Sequence, residues 1–219
     1  MRDISPKFWG VNTEAFSVQV GRGWLVAGGA ERVLGDDGKP KTLEGVLGPV
    51  HFSMHKGVGH GWTRFCEDSI LVYVEQGGVV AAVFDGVSGD ADGSGGLASR
   101  LAAKTLLNYV GKLLREDPDN MLEEYMAECK SKISVGATTA LILVLWEDGE
   151  CRLYNKGDSL CYSDGSLVNT PESVGNLLQK YLNDNQPFTR YTFRRLHQVK
   201  LCSDGVLNPM DDRTEVSVG

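Results

Sequence analysis

The chain has 219 residues, with 22 Lys and Arg against 29 Asp and Glu, a formal charge of −7. That length suits one large domain or two small ones at roughly 100–200 residues each, and the acidic balance argues against an overall basic surface of the kind that binding along a nucleic-acid backbone or an anionic membrane requires. Glycine supplies 27 of the 219 residues, about 12% against a usual share near 7%, which points to many tight turns.

The opening MRDISPKFWG has neither the basic start nor the apolar stretch of a secretion signal, and no apolar run approaches the roughly 20 residues of a membrane span. Two strands are predicted at 15–20 and 23–28, joined at Gly21-Arg22-Gly23, and 35–41 reads as an exposed turn. Strands follow at 50–56, 69–75 and 78–85, the last two joined by Gln76-Gly77-Gly78. A helix is predicted over 97–115, where Leu97, Leu101, Leu106, Tyr109, Val110, Leu113 and Leu114 share a stripe, and another over 119–132 behind Pro118. Strands at 137–146, 151–156 and 159–163 are punctuated by Asp148-Gly149 and Asp164-Gly165; a third helix is predicted over 172–184 behind Pro171, and strands at 197–203 and 213–218 close the chain. Hairpin signals imply antiparallel pairing, and strands outnumber helices, so an α+β domain with helices packed on sheets is expected. It is read as one domain over 1–219, with strands of unassigned role in residues 1–50. Five widely spaced cysteines (Cys66, Cys129, Cys151, Cys161, Cys202), with no C-x-x-C pair, suit a reducing, cytoplasmic compartment and argue against a zinc ribbon.

Carboxylates stand beside glycines at several strand ends. The apolar run Val79–Phe84 ends in Asp85-Gly86, Val199–Ser203 ends in Asp204-Gly205, and Glu67-Asp68 precedes Ser69–Tyr73. If these ends converge, their mutual repulsion calls for a hard cation with oxygen ligands, Mg²⁺ or Mn²⁺. Taken singly, each Asp-Gly pair is an ordinary turn.

Four segments in order resemble the metal-dependent PPM phosphatases, the protein phosphatase 2C family: Arg64-Phe65-Cys66-Glu67-Asp68-Ser69, Val83 to Gly89, Gly136-Ala137-Thr138-Thr139-Ala140 through Asn155-Lys156-Gly157-Asp158-Ser159, and Leu201 to Leu207. Asp211-Asp212-Arg213-Thr214 resembles the closing metal-ligand segment. The resemblance implies an α-β-β-α sandwich of two antiparallel sheets flanked by helices, with two Mg²⁺ or Mn²⁺ ions, and leaves a third ion open. It implies Asp85 as the carboxylate bridging both ions, the Gly86 carbonyl as a further ligand, Asp204 and Asp211 on the other ion, Glu67 and Asp68 on water, and Arg64 on the substrate phosphate. The implied activity is hydrolysis of phosphoserine or phosphothreonine in a protein, or of a small phosphomonoester, by a monomer that binds neither nucleic acid nor membrane. The alternative is a pseudo-phosphatase serving as a regulatory or binding module. Some positions depart from the family pattern: Arg64 lies one residue nearer to Glu67-Asp68, Val87 stands where many eukaryotic members carry histidine, and Leu160 replaces a common arginine. Only six residues separate Asp204 from Asp211, so the helix and flap content is expected to be reduced.

Other patterns compete. Gly93-Ser94-Gly95-Gly96-Leu97-Ala98 fits the outline of a dinucleotide fingerprint, but begins eight residues after Asp85 rather than at the strand end. His51, Ser53 and His55 would share one face of a strand, with His60 nearby; polar alternation explains them more simply than a transition-metal site. Cys66 reads as a small buried residue. Asp158 is either an accessory ligand or the cap of a hairpin turn.

Overall fold

The computed structural model describes residues 7–10, 16–20, 23–28, 42–55, 57, 66–87, 94–174, 177–178, 180–195, 197–207 and 211–219. In chain order the strands are β1 (Lys7–Gly10), β2 (Phe16–Val20), β3 (Gly23–Gly28), β4 (Thr42–Leu47), β5 (Val50–His55), β6 (Ser69–Glu75), β7 (Gly78–Phe84), β8 (Gly86–Val87), β9 (Ala137–Thr138), β10 (Ala140–Trp146), β11 (Glu150–Lys156), β12 (Leu160–Ser163), β13 (Ser166–Leu167), β14 (Ser173–Val174), β15 (Leu177–Leu178), β16 (Thr189–Arg194), β17 (Val199–Cys202) and β18 (Arg213–Val218). The helices are α1 (Ser94–Leu106), α2 (Val110–Leu113) and α3 (Pro118–Lys132).

Two seven-stranded antiparallel sheets carry the fold, ordered β1-β4-β5-β18-β17-β12-β13 and β16-β11-β10-β7-β6-β3-β2. Residues of both sheets share one core: Phe52, Met54, Leu201, Val216 and Val218 meet Val72, Ala81, Val83, Leu141 and Leu143. The second sheet has another buried face, where Leu71, Tyr73, Val80, Phe84 and Ile142 meet Ala98, Ala102, Leu106, Leu122 and Tyr125 of the helices. Burial on both faces explains why β6, β7 and β10 read as unbroken apolar runs. By contrast β5 and β18 alternate inward and outward residues. His51, Ser53 and His55 accordingly lie on the outward face of β5, as polar alternation predicts. The expected pair of sheets is present, and the expected thinning of helix content falls on one side: among the described residues the helices cover only the β6–β7–β10 sheet. None of those helices is long and apolar enough to cross a membrane.

The turns behave as their glycines suggest. At the tip of the β12–β13 hairpin Asp164 and Gly165 have φ values of 50° and 82°, both positive, as a two-residue type I′ turn requires. The predicted helix over 97–115 instead starts at Ser94 and breaks after Leu106, where the N–H groups of Asn108 and Tyr109 bond three residues back, to Thr105 and Leu106. Among the described residues of 172–184 the predicted helix is absent; they form β14, β15 and turns. The physical reason is Lys156, whose side chain is fully buried and whose ammonium donates to the carbonyls of Leu182 (3.5 Å) and Gln186 (2.6 Å) and to the Asp184 carboxylate (2.7 Å). The N–H of Leu182 meanwhile donates to Thr138. These long-range partners take the groups that a helix would have paired locally.

Several strands went unpredicted, among them β1, β4, β13 and β16. In β4 one inward position is Gly45, so the apolar alternation lacks a side chain there. In β16 only Tyr191 and Phe193 face the core, between exposed Arg190, Thr192 and Arg194.

Candidate metal centre

The second sheet delivers Asp85 at the end of β7, and two threonines from the β9–β10 junction fix its main chain. The Asp85 carbonyl accepts from the Thr139 N–H at 2.8 Å and from the Thr138 hydroxyl at 2.9 Å, while the Asp85 N–H donates to Thr139 Oγ1 at 3.1 Å. Those bonds split the predicted 137–146 strand into β9 and β10 at Thr139. Thr139 Oγ1 also lies 3.2 Å from Ser159 Oγ, so the β7 end is tied to the turn that carries Asp158. Two glycines make the approach possible. A β-carbon on Gly86 would lie 2.3 Å from the Glu67 carbonyl, and Gly157, at φ +126°, would place one 2.6 Å from the Thr139 side chain.

Carboxylate oxygens of Asp85, Asp158 and Asp204 all lie within 4.8 Å of one another. Asp85 ends β7, Asp204 follows β17, and Asp158 sits on the link from β11 to β12. Asp68, ahead of β6, is 1% exposed, and neither of its carboxylate oxygens has a hydrogen-bond partner. The hydroxyls of Thr214 and Ser203 lie near enough to favour its charge, but without hydrogen-bond geometry. Glu67 is 3% exposed and its Oε1 accepts the Gly96 N–H at 3.4 Å, in the first turn of α1.

The closing pair is divided. Asp212 is 3% exposed and spends both oxygens on main-chain N–H groups, Gly57 at 2.8 Å and Glu67 at 2.6 Å. Asp211 is half-buried, accepts the Asp212 N–H, and adds its charge to the field on Asp158.

These groups raise one another's pKa values. Burial foremost, then the charges of Asp68, Asp204 and Asp158, pushes the Asp85 carboxyl well above the usual range. Burial and then Asp212 do the same to Asp68. Burial and then Asp204 raise Asp158 to about 6. An all-oxygen donor set of mutually repelling carboxylates, beside buried oxygens without partners, fits a hard divalent cation. Among the described residues no other cluster of His, Cys, Asp and Glu has this spacing.

The structure therefore brings together Asp85 and Asp204 of the residues singled out from sequence and adds Asp158, which followed the same strand-then-carboxylate pattern in Lys156-Gly157-Asp158. Glu67, Asp68, Gly86 and Asp211 surround the trio. Arg64 lies outside the described residues, as does His60. The dinucleotide reading fails on space: Gly95 packs so tightly on Gly86 that a β-carbon there would be 2.6 Å from the Gly86 carbonyl carbon, leaving no gap for a pyrophosphate. The five cysteines are buried and free, and burial foremost pushes the Cys66 thiol well up, so it is no ready nucleophile.

The model of the family described as Protein phosphatase 2C matches residues 63–218. No curated protein matches the sequence. Among solved structures, the catalytic domain of the serine/threonine protein phosphatase PstP, in complex with two manganese ions, superposes with a TM-score of 0.57 at 17% identity over 77% of this chain and 96% of that one. Serine/threonine phosphatase Stp1 from Staphylococcus aureus gives 0.60 at 14% identity, covering 78% of this chain and 94% of the other. RsbX in complex with magnesium gives 0.56 at 17% identity, covering 77% and 94%.

Proposed function

The chain belongs to the protein phosphatase 2C family, and from that premise we propose that it is a metal-dependent hydrolase of phosphoserine and phosphothreonine in proteins, working as one phosphatase-like domain in the cytoplasm. The observation that carries this reading is the convergence of Asp85, Asp158 and Asp204 beside the unpartnered, buried carboxylate of Asp68. Mg²⁺ or Mn²⁺ suits these oxygens, in keeping with the ions held by the RsbX and PstP structures. Two such ions, when bound, supply the acidity that turns water into a nucleophile at neutral pH and offset the charge on the phosphoryl oxygens.

The residues of the chain divide the remaining work. Asp85, Asp158, Asp204 and Asp211 would hold the ions, with the Gly86 carbonyl beside them. Asp68 and Glu67 would accept hydrogen bonds from water and so orient it. Arg64 would grip the phosphate through its planar fork of donors. Val87 has no proton to give, so the leaving oxygen takes its proton from water. Asp212 fixes the main chain at Glu67, on which the placing of Asp68 depends. A pseudo-phosphatase has no use for such a costly cluster of like charges, and the retained carboxylates speak against it.

The test is hydrolysis of an aryl phosphate with Mn²⁺ or with chelator, on the wild type and on Asp85→Asn. Turnover with Mn²⁺ that is lost in chelator and in the folded variant is expected. Undiminished activity in either would sink the two-metal reading.

A further inference from the structure

Next to the end of β7, the β8–β9 pair and the first turn of α1 that packs on it present a strip of apolar residues that the hydrolytic chemistry does not use. Val87 of β8 pairs with Ala137 of β9, and the next residue, Thr138, holds the Asp85 carbonyl. The first turn of α1 is locked onto this hairpin. A β-carbon on Gly136 would lie 2.3 Å from the Ser94 carbonyl oxygen, and one on Gly95 would lie 2.7 Å from the Val87 nitrogen. Leu97 and Val135 stand on this packed unit, each 58% exposed. Among the described residues only four large apolar side chains are at least half exposed, so two of the four belong to one small unit that abuts the end of β7. Single exposed leucines need no explanation, but a pair on a backbone-locked support beside a catalytic strand end does.

We propose that this strip, Val87, Leu97, Val135 and Ala137, seats the polypeptide flanking the phosphorylated residue, so that the preferred substrates carry apolar side chains next to the phosphoserine or phosphothreonine. The inference rests on the phosphatase reading and deepens it. A phosphoprotein can bring its phosphoryl group to Asp85 only by laying its own chain across the surface around the end of β7, and the strip is part of that surface. None of these four side chains is charged. Burying apolar flanks there adds binding energy remote from the reacting atoms.

The test compares three substrates with Mn²⁺: an aryl phosphate, a phosphothreonine peptide flanked on both sides by leucine, and the same peptide flanked by serine. Leu97→Ser, Val135→Ser and the double variant are expected to lower kcat/KM for the leucine-flanked peptide by about tenfold. Aryl phosphate and serine-flanked peptide turnover stay within twofold, as does the preference between them, and melting temperatures are unchanged because both side chains are exposed. Equal losses on all three substrates, or none on the leucine-flanked peptide, overturn the role of the strip. A wild type that leaves the aryl phosphate intact overturns the phosphatase reading itself and the strip's role with it, whereas normal aryl phosphate turnover without any flank preference overturns the strip alone.

Discussion

The carboxylate of Asp212 accepts the main-chain N–H of Glu67 at 2.6 Å across 145 residues of sequence. Its other oxygen accepts the N–H of Gly57. One buried side chain at the start of β18 thereby fixes the segment that leads into β6, where Glu67 and Asp68 stand. Its neighbour Asp211 faces the acidic pool instead, so two adjacent aspartates have separate tasks.

Exchanging each for asparagine should separate those tasks. Asp211→Asn is expected to abolish most Mn²⁺-dependent turnover with little change in stability. Asp212→Asn keeps one acceptor oxygen but sets an amide N–H₂ against a main-chain N–H, which should cost about 1–3 kcal/mol while a substantial part of turnover survives at saturating metal. Urea denaturation and turnover on both variants check this; the reverse ranking would put the register off by one.

Ions that bind only the folded chain stabilise it by mass action. Mn²⁺ or Mg²⁺ at a hundredfold excess over its Kd should add about 2.7 kcal/mol, and Asp85→Asn should remove most of that gain. Melting curves that coincide in metal and in chelator would show that the carboxylates hold no ion.

Asp158 titrates near 6 in the folded chain against an ordinary 3.8. Between these values the folded state holds a proton that the unfolded state has released, and above about 6 the carboxylate is ionised in both. Stability in chelator should therefore fall as pH rises from about 4 to about 6, since the folded state binds the more protons there. Asp158→Asn should flatten that part of the profile. Thermal melts at intervals over this range decide it, and identical slopes for wild type and variant would refute it.

Lys156→Met should destabilise the chain by about 2–4 kcal/mol, because the carbonyls of Leu182 and Gln186 and the Asp184 carboxylate lose their shared donor. Amide exchange should rise first between residues 180 and 188. A variant as stable as the wild type would show the lysine to be incidental to that segment's path.

Much of this was legible in sequence. The hairpin glycines, the apolar runs that became β6, β7 and β10, and the strand-end carboxylates Asp85 and Asp204 all announced themselves locally. What failed was long-range. Nothing in residues 172–184 shows that the Leu182 carbonyl and the Asp184 carboxylate answer to a lysine on β11, and a helix was the natural local choice behind Pro171. Asp158 was ambiguous because Gly-Asp marks both a turn and a ligand, and only the fold brings it to Asp85. Gly45 hid β4 because it leaves one inward position with no side chain to count.

The carboxylates are recruited from both sheets: Asp68 and Asp85 border β6 and β7, Asp204 and Asp211 border β17 and β18, and Asp158 lies on the strand link that crosses between them. An ion held by this set would act as a rivet through the sandwich. Pulling the sheets apart would dismantle the site before any strand frayed, and loading the site would slow that separation. The chain's resistance to force or to slow proteolysis would then track divalent-ion supply, and a cell short of the ion would lose the protein as well as its turnover.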